Sequence, residues 1–339
     1  MASNPSPKKR TRFGLIGCSR IAERRFIPAL EACPNATIEH ISSRDPEKAH
    51  QWATRYSSPS YGDYESCLKN PNVDAIYIST PNNCHEKWVY KAADHKKDIL
   101  CEKPAVLSYK AAEKIIEYCK KKNVVFYENL VCEHHQQHQT IQTYCQSFGP
   151  LQYFNATIKH PKPKSDNFRL KKELNGGVLY DIVIYTIWAL LFYHSELPKS
   201  IVAHATFDAD SGVHNAVKIT AKYAQNPVVN CQVGYGEFQS SYELIYGNTT
   251  IRNNRAFSIN PEDKPKIEIK QNNQITQWEH PNDHQFLNMI HAFSAKCHHP
   301  NTVDHSGFLK RHLLLDAIYQ SIVSNQYVEI EPPTFISHT

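Results

Sequence analysis

Short apolar runs and longer stretches with helical spacing take turns along the first half of the chain, the pattern of strands and helices in a parallel α/β sheet. Residues 12–16, 37–42, 73–79, 99–101 and 124–127 read as strands. Between them, 21–32, a stretch from Asp45 to about Tyr56, a short piece at 64–68, a stretch running to His95, and 109–122 read as helices. Asp45-Pro46-Glu47 has the form of an N-cap followed by proline at the first helical position. Pro28 bends the 21–32 helix or marks where it docks. The rhythm changes near Gly149-Pro150. Beyond it, 151–159, 200–207, 216–223, 228–234 and 242–246 are strands joined by turns, and 284–296 and 308–324 are late helices expected to pack back on the first domain. Alternation at Val217, Ile219, Ala221 and Tyr223 leaves one apolar sheet face, suited to pairing of subunits. Residues 253–264 are polar and read as a surface loop. The expected organisation is therefore a leader over 1–11, a doubly wound nucleotide-binding domain over 12–149, and a substrate and oligomerisation domain over 150–339.

Composition closes several classes. With 339 residues, 41% hydrophobic and 21% charged, the chain reads as a soluble globular protein long enough for two cores. The net charge of +5, from 38 basic and 33 acidic residues, is not gathered into a long block. Its one cluster, Lys8 to Arg12, belongs to the leader, so nucleic acid is not an expected partner. No apolar export signal precedes the first strand. The ten cysteines lack C-x-x-C pairing, which points to free thiols and a cytoplasmic protein. The run 178–194 is apolar but short for a membrane span and carries Asp181, so it reads as a core helix and no membrane is expected.

Candidate chemistry collects at strand ends, where open α/β sheets bind ligands. In Gly14 to Ala22, GLIGCSRIA, Gly17 supplies a tight turn and Ala22 the small position where helix packs on strand. Ser19 stands where a dinucleotide fingerprint has its second glycine, and Arg20 and Ile21 open a helix whose N-terminus suits phosphate. The second strand ends in Ser42-Ser43-Arg44. Asp45 already serves as a helix cap, so Ser43 and Arg44 read as the site of the extra phosphate of NADP(H), with NAD(H) and an ordinary exposed arginine as the alternatives. The strand 99–101 runs into Glu102, Lys103 and Pro104. Proline keeps Lys103 extended at the strand tip, either aimed into a crevice or solvated beside Glu102. Gly176-Gly177 open a helix that carries Asp181 and Tyr185, four apart, on one face. A phenol is protonated at neutral pH and can hand its proton to an alkoxide as hydride reaches a carbonyl carbon, with cationic Lys103 stabilising the oxygen. The alternative for Tyr185 is packing with Tyr180, Trp188 and Phe192.

Taken together, GCSRIAERRFIPAL, SSRDPEKA, VDAIYISTPNNCHEKWVYKA, CEKP and FRLKKELNGGVLYDIVIY resemble, in order and over nearly the whole chain, the glucose-fructose oxidoreductase and inositol dehydrogenase family. The opening GCxxIAxRRxxPAL and the His-His-x-Gln-His run at 134–138 are similar to its sugar 3-ketoreductases of nucleotide-sugar biosynthesis. The resemblance implies a Rossmann domain followed by an α/β domain with a large, open-faced, mostly antiparallel sheet, used to form homodimers or homotetramers. It implies that Lys103 is the active-site lysine with Glu102 its neighbour, and that Thr80, Pro81, Asn82 and His85 form a turn bordering the nicotinamide. It also implies that Arg169 lies near the cofactor and that Asp181 and Tyr185 are the paired residues of the substrate side. Asn175 in place of a third glycine, His95 in place of a turn glycine, and Glu133 depart from the family pattern and bear on pocket shape and substrate.

The run from Cys132 to His138 offers His134, His138, Glu133 and Cys132 as metal ligands, but no second cluster matches it and His298-His299 reads as a loop before Pro300, so no metal is expected. These histidines instead line a nucleotide-sugar cleft or cap a helix. The expected function is NADP(H)-dependent reduction of a keto group on a sugar, nucleotide-linked. The alternatives are an aldose or dihydrodiol dehydrogenase and a non-catalytic cofactor-sensing protein, the last disfavoured by Lys103, Asp181 and Tyr185 occurring together.

Overall fold

The computed structural model describes residues 10–331, so the leader expected over 1–11 lies almost wholly outside the described residues. Two compact units divide the chain. The first comprises residues up to Ala105, Glu113–His134 and Phe286–Asp304, and the second Val106–Ala112, His135–Gln285 and the segment from His305 onward.

In the first unit β1 (Thr11–Ile16), β2 (Ala36–Ser42), β3 (Ser60–Gly62), β4 (Ala75–Ile78), β5 (Asp98–Glu102) and β6 (Phe126–Asn129) form a six-stranded sheet in the order β3-β2-β1-β4-β5-β6. Every pairing is parallel. Helices cover both faces of such a sheet, so a central strand is buried on both sides: every residue of β4 is buried. The strand order reverses direction between β1 and β4, which puts a ligand crevice beyond their carboxyl ends. The expected helix over 21–32 is present but opens as a wide π turn, Ala22–Phe26, in which the Ile27 N–H reaches back to the Ala22 carbonyl. Pro28, next in line, has no N–H to give, so the widening falls where the regular ladder is already interrupted. Phe26 stacks on Tyr77 at 3.7 Å, and Phe13 meets Phe26 and Phe293 at 5.6 Å each. Phe293 comes from the helix Gln285–Lys296, which also sends Phe286, Met289 and Ile290 into this core. Burying each such side chain stabilises the unit by about 1.5–3 kcal/mol.

The second unit holds β7 (Tyr153–His160), β8 (Ser200–Phe207), β9 (His214–Lys222), β10 (Val228–Tyr235), β11 (Gln239–Tyr246), β12 (Thr249–Asn253), β13 (Lys266–Gln271), β14 (Gln274–Glu279) and β15 (Val328–Glu329). They form one nine-stranded sheet, β14-β13-β12-β11-β7-β10-β9-β8-β15, in which β7 and β10 run parallel and the other neighbours antiparallel.

Three expectations change here. The second late helix, Ser306–Ser324, does not join the first unit: it lies along β8 and the helix Val183–Tyr193. Val217, Ile219 and Ala221 are buried, with the helix Val178–Asp181 on β9 and Ser306–Ser324 on the neighbouring β8, so this apolar face is used within the chain and is not free for subunit pairing. Finally, 253–264 is no surface loop, because Asn253, Ala256, Phe257 and Ile259 are all buried. The apolar run at 172–193 has the length and mean hydropathy, 1.6, of a membrane span, but 72% of its most apolar window is buried inside the fold. It is broken at Ile182 into Val178–Asp181 and Val183–Tyr193.

Candidate active site

At the end of β1 the chain must turn sharply, and Gly17 does so with φ +104°, a conformation open to glycine. Its N–H donates to the Ser42 carbonyl at 3.2 Å, and a Cβ here would stand 3.2 Å from the Ser79 carbonyl. Ser19 does more than replace a glycine. Its hydroxyl accepts the Ala22 N–H (3.1 Å) and donates to the Ser79 hydroxyl (2.9 Å), which donates on to the Gly17 carbonyl (3.0 Å). Turn and helix start are thereby tied to the end of β4, leaving Arg20 and Ile21 exposed beside them. At the end of β2, Asp45 accepts the N–H groups of Glu47 (3.0 Å) and Lys48 (3.3 Å), as its capping role requires. Ser43 is buried and its hydroxyl accepts the Asp45 N–H at 3.1 Å, while Arg44 is exposed. Thr80 holds a buried hydroxyl oxygen with no partner, and Asn82 is buried beside the partly exposed Pro81. A turn without a Cβ, a helix start, an exposed cation and an orphaned hydroxyl at neighbouring strand ends together suit a dinucleotide phosphate group.

Lys103 stands at the tip of β5, partly exposed, while Pro104, Ala105 and Val106 after it are buried. On the near side, the Glu102 carboxylate accepts the Tyr77 hydroxyl at 2.6 Å and the Asn129 amide at 2.7 Å. Withdrawal from water raises the Glu102 pKa above the ordinary carboxylate range, against the pull of Tyr77 and the positive charge of Lys103. Glu102 was expected at the cofactor, and the structure instead commits one of its oxygens to the interior.

His85 is 1% exposed, with Nδ1 2.8 Å from the Pro104 carbonyl and Nε2 2.7 Å from the Thr80 carbonyl. Burial lowers its pKa, and a neutral ring can donate to only one of those oxygens. Its ring lies between the two loops and braces the 80–85 turn against the segment after Lys103.

In the second unit, Arg169 Nε donates to Asp181 at 2.6 Å, and the Asp181 charge is the main reason the guanidinium pKa is raised. Tyr185 and Tyr235 contribute to the same shift. The packing here is close: a Cβ on Gly176 would lie 2.4 Å from the Arg169 carbonyl, so the chain can return to Arg169 only through glycine. Asn175, the departure from the family glycine, sits in the left-handed region at φ 54°, which asparagine tolerates. Asp181 and Tyr185 belong to two helical pieces and not to one, since the helix is interrupted at Ile182. Tyr235, at the end of β10 with a buried hydroxyl that has no partner, was not anticipated; no motif marks it, because it arrives from a strand far along the chain.

The histidine run is divided. His135 caps the helix Gln136–Cys145, its Nδ1 accepting the Gln137 N–H at 3.3 Å. His138 is buried between the Tyr242 hydroxyl (3.1 Å) and the Ala256 carbonyl (3.0 Å), and desolvation pushes its pKa down to about 3. His134, likewise desolvated to about 4, lies beside Tyr127. Among the described residues no group of these side chains is arranged to hold a metal ion.

Residues 11–130 match the model of an oxidoreductase family with an NAD-binding Rossmann fold, GFO/IDH/MocA, and residues 144–249 match a C-terminal domain model of the same family. The chain is similar to a dTDP-3,4-didehydro-2,6-dideoxy-alpha-D-glucose 3-reductase of Saccharopolyspora spinosa, at 28% identity over 85% of this chain and 87% of that one. It is similar also to a D-xylose 1-dehydrogenase (NADP(+)) of Haloferax volcanii, at 25% identity over 94% of this chain and 99% of that one. Among solved structures, KijD10, a 3-ketoreductase from Actinomadura kijaniata crystallised with NADP and TDP-benzene, superposes with a TM-score of 0.88 at 25% identity, covering 92% of this chain and 98% of its own.

Proposed function

The chain belongs to the GFO/IDH/MocA oxidoreductase family, and from that membership we propose that it uses NADPH to reduce a keto group on a nucleotide-linked sugar. The observation that carries the reading is a strand-tip lysine with locked neighbours, in a chain alignable along most of its length with a dTDP-sugar 3-reductase. The cofactor, when bound, supplies the hydride that reaches the carbonyl carbon. Lys103 stabilises the negative charge that develops on the oxygen. Tyr185 gives its phenolic proton to that same oxygen, so the carbonyl becomes an alcohol, and the phenol is reprotonated from solvent with its anion eased by the lysine charge. Arg169 fixes Asp181 as a charged acceptor for sugar hydroxyls on the substrate side. Gly17, Ser19 and Thr80 take the cofactor phosphates and their surroundings, and Ser43 with Arg44 takes the phosphate that distinguishes NADPH.

A second reading, oxidation of a free aldose or a diol, is favoured by the likeness to the xylose dehydrogenase. The test is a panel followed by cofactor absorbance: a dTDP-linked 3-keto sugar with NADPH, and D-xylose and a trans-diol with NADP+. NADPH consumption with the keto sugar is the expected result. Turnover confined to xylose or the diol would replace this reading with the second.

A further inference from the structure

The peptide that follows Lys103-Pro104 is held from both ends by buried side chains. Its carbonyl, that of Pro104, lies 2.8 Å from His85 Nδ1, and its N–H, that of Ala105, donates to Glu128 Oε1 at 3.0 Å. Glu128 is 4% exposed and sits in β6, a strand to which no site residue had been assigned. A carboxylate is costly to bury without a purpose, and at this position one of its oxygens accepts a backbone amide of the Lys103 turn. The next residue along β6, Asn129, holds Glu102 on the other side of the lysine. Two adjacent side chains of β6 therefore bond residues on either side of Lys103, Asn129 the Glu102 carboxylate and Glu128 the Ala105 N–H, while Lys103 itself stays partly exposed. The groups that face the pinned peptide are His85 on one side and Glu128 on the other, with Lys103 and Glu128 both acting on the His85 charge.

We propose that Glu128 is a positioning residue for Lys103: by accepting the Ala105 N–H it fixes where the lysine leaves the strand, and hence where its ammonium meets the substrate oxygen. The inference rests on Lys103 serving that oxygen, as in the reading above. The hydrogen bond and not the charge is what the role requires, so an amide of the same shape serves nearly as well.

The experiment compares the parent protein, Glu128→Gln, Glu128→Met, Lys103→Ala and the Lys103→Ala/Glu128→Met pair. NADPH affinity is read by fluorescence and turnover of a dTDP-linked 3-keto sugar by NADPH absorbance. Misplacing a catalytic group by about an ångström costs on the order of a hundredfold in rate. Glu128→Met, which fills the space without an acceptor, should lose about ten- to a hundredfold in turnover with NADPH affinity within about threefold of the parent. Glu128→Gln should stay within about threefold in turnover, and Glu128→Met should add nothing measurable once Lys103 is gone. Should Glu128→Met not fold, Glu128→Asp takes its place with the same expectations, since the shorter side chain loses reach and keeps polarity. An unchanged rate in these variants overturns the proposal, and so does an equal loss in the presence and absence of Lys103, which marks a merely structural residue. If Lys103→Ala itself turned over at the parental rate, the functional reading would fall first, and that outcome is distinct from either.

Discussion

At the end of β2 the guanidinium of Arg44 is exposed, while the neighbouring Asp45 spends one carboxylate oxygen on two backbone amides. An added phosphate thus meets a cation, and the adjacent acid is already engaged. Arg44→Asp should weaken NADPH binding by a few kcal/mol, roughly the loss of one charge-assisted contact plus a new repulsion, and should favour NADH; fluorescence titration of both cofactors reads it. Asp45→Ala separates the cap from a ribose contact. It should lower unfolding free energy by about 0.5–2 kcal/mol in a denaturant titration and leave the NADPH-to-NADH preference where it was. These residues were legible because their signals are local: a glycine at a tight turn, an Asp-Pro-Glu cap at Asp45, and a proline that keeps the preceding Lys103 extended. Glu128, Tyr235 and the contact of His85 with Pro104 were not, since each acts on a segment that only the folded sheet brings beside it.

Among the elements, strands with a long apolar run announced themselves, whereas β12, β13, β14 and β15 did not. β14 has no buried residue along its length, and β13 alternates only over Ile267 and Ile269, too briefly to stand out from the polar background. β3, three residues long, is too short to show a period. The stretch after β12 misled in the opposite way: its asparagines and prolines suggested solvent, yet it inserts Phe257 beneath the sheet, where the ring meets Tyr185 at 5.9 Å and Tyr242 at 6.0 Å. Phe257→Ala should therefore cost about 3–5 kcal/mol of unfolding free energy, the range for a buried aromatic. Chemical denaturation decides it, and a change within about 0.5 kcal/mol would return the segment to the surface. The histidine run was ambiguous for a related reason. Its spacing fits a metal site, a cap or a core equally well, and only the position of β11 and its Tyr242 directs His138 inward.

At the scale of the molecule, burial depresses the pKa of seven histidines among the described residues: His40, His85, His134, His135, His138, His194 and His214. The unfolded chain then binds more protons than the folded one below the ordinary histidine pKa of about 6.5, so stability is complete above that pH and is lost as pH falls toward about 4, the folded value for His134 and His135. Asp98 and Glu102, whose pKa values are raised by burial, act in the opposite sense but are two against seven. The thermal midpoint should be level from about pH 8 to 7 and fall steadily from about 6.5 to 5; a flat profile over that range would mean the histidines are not held neutral. The central claim is that Lys103 and Tyr185 serve one substrate oxygen. Single-turnover oxidation of NADPH by a dTDP-linked 3-keto sugar, measured for the parent, Lys103→Ala, Tyr185→Phe and the double variant, tests it most directly. Each single variant should bind NADPH and lose on the order of 10²–10³-fold in rate, with the double variant little slower than the slower single one because both groups serve one oxygen. Parental rates in Tyr185→Phe, or losses that multiply in the double variant, would contradict it.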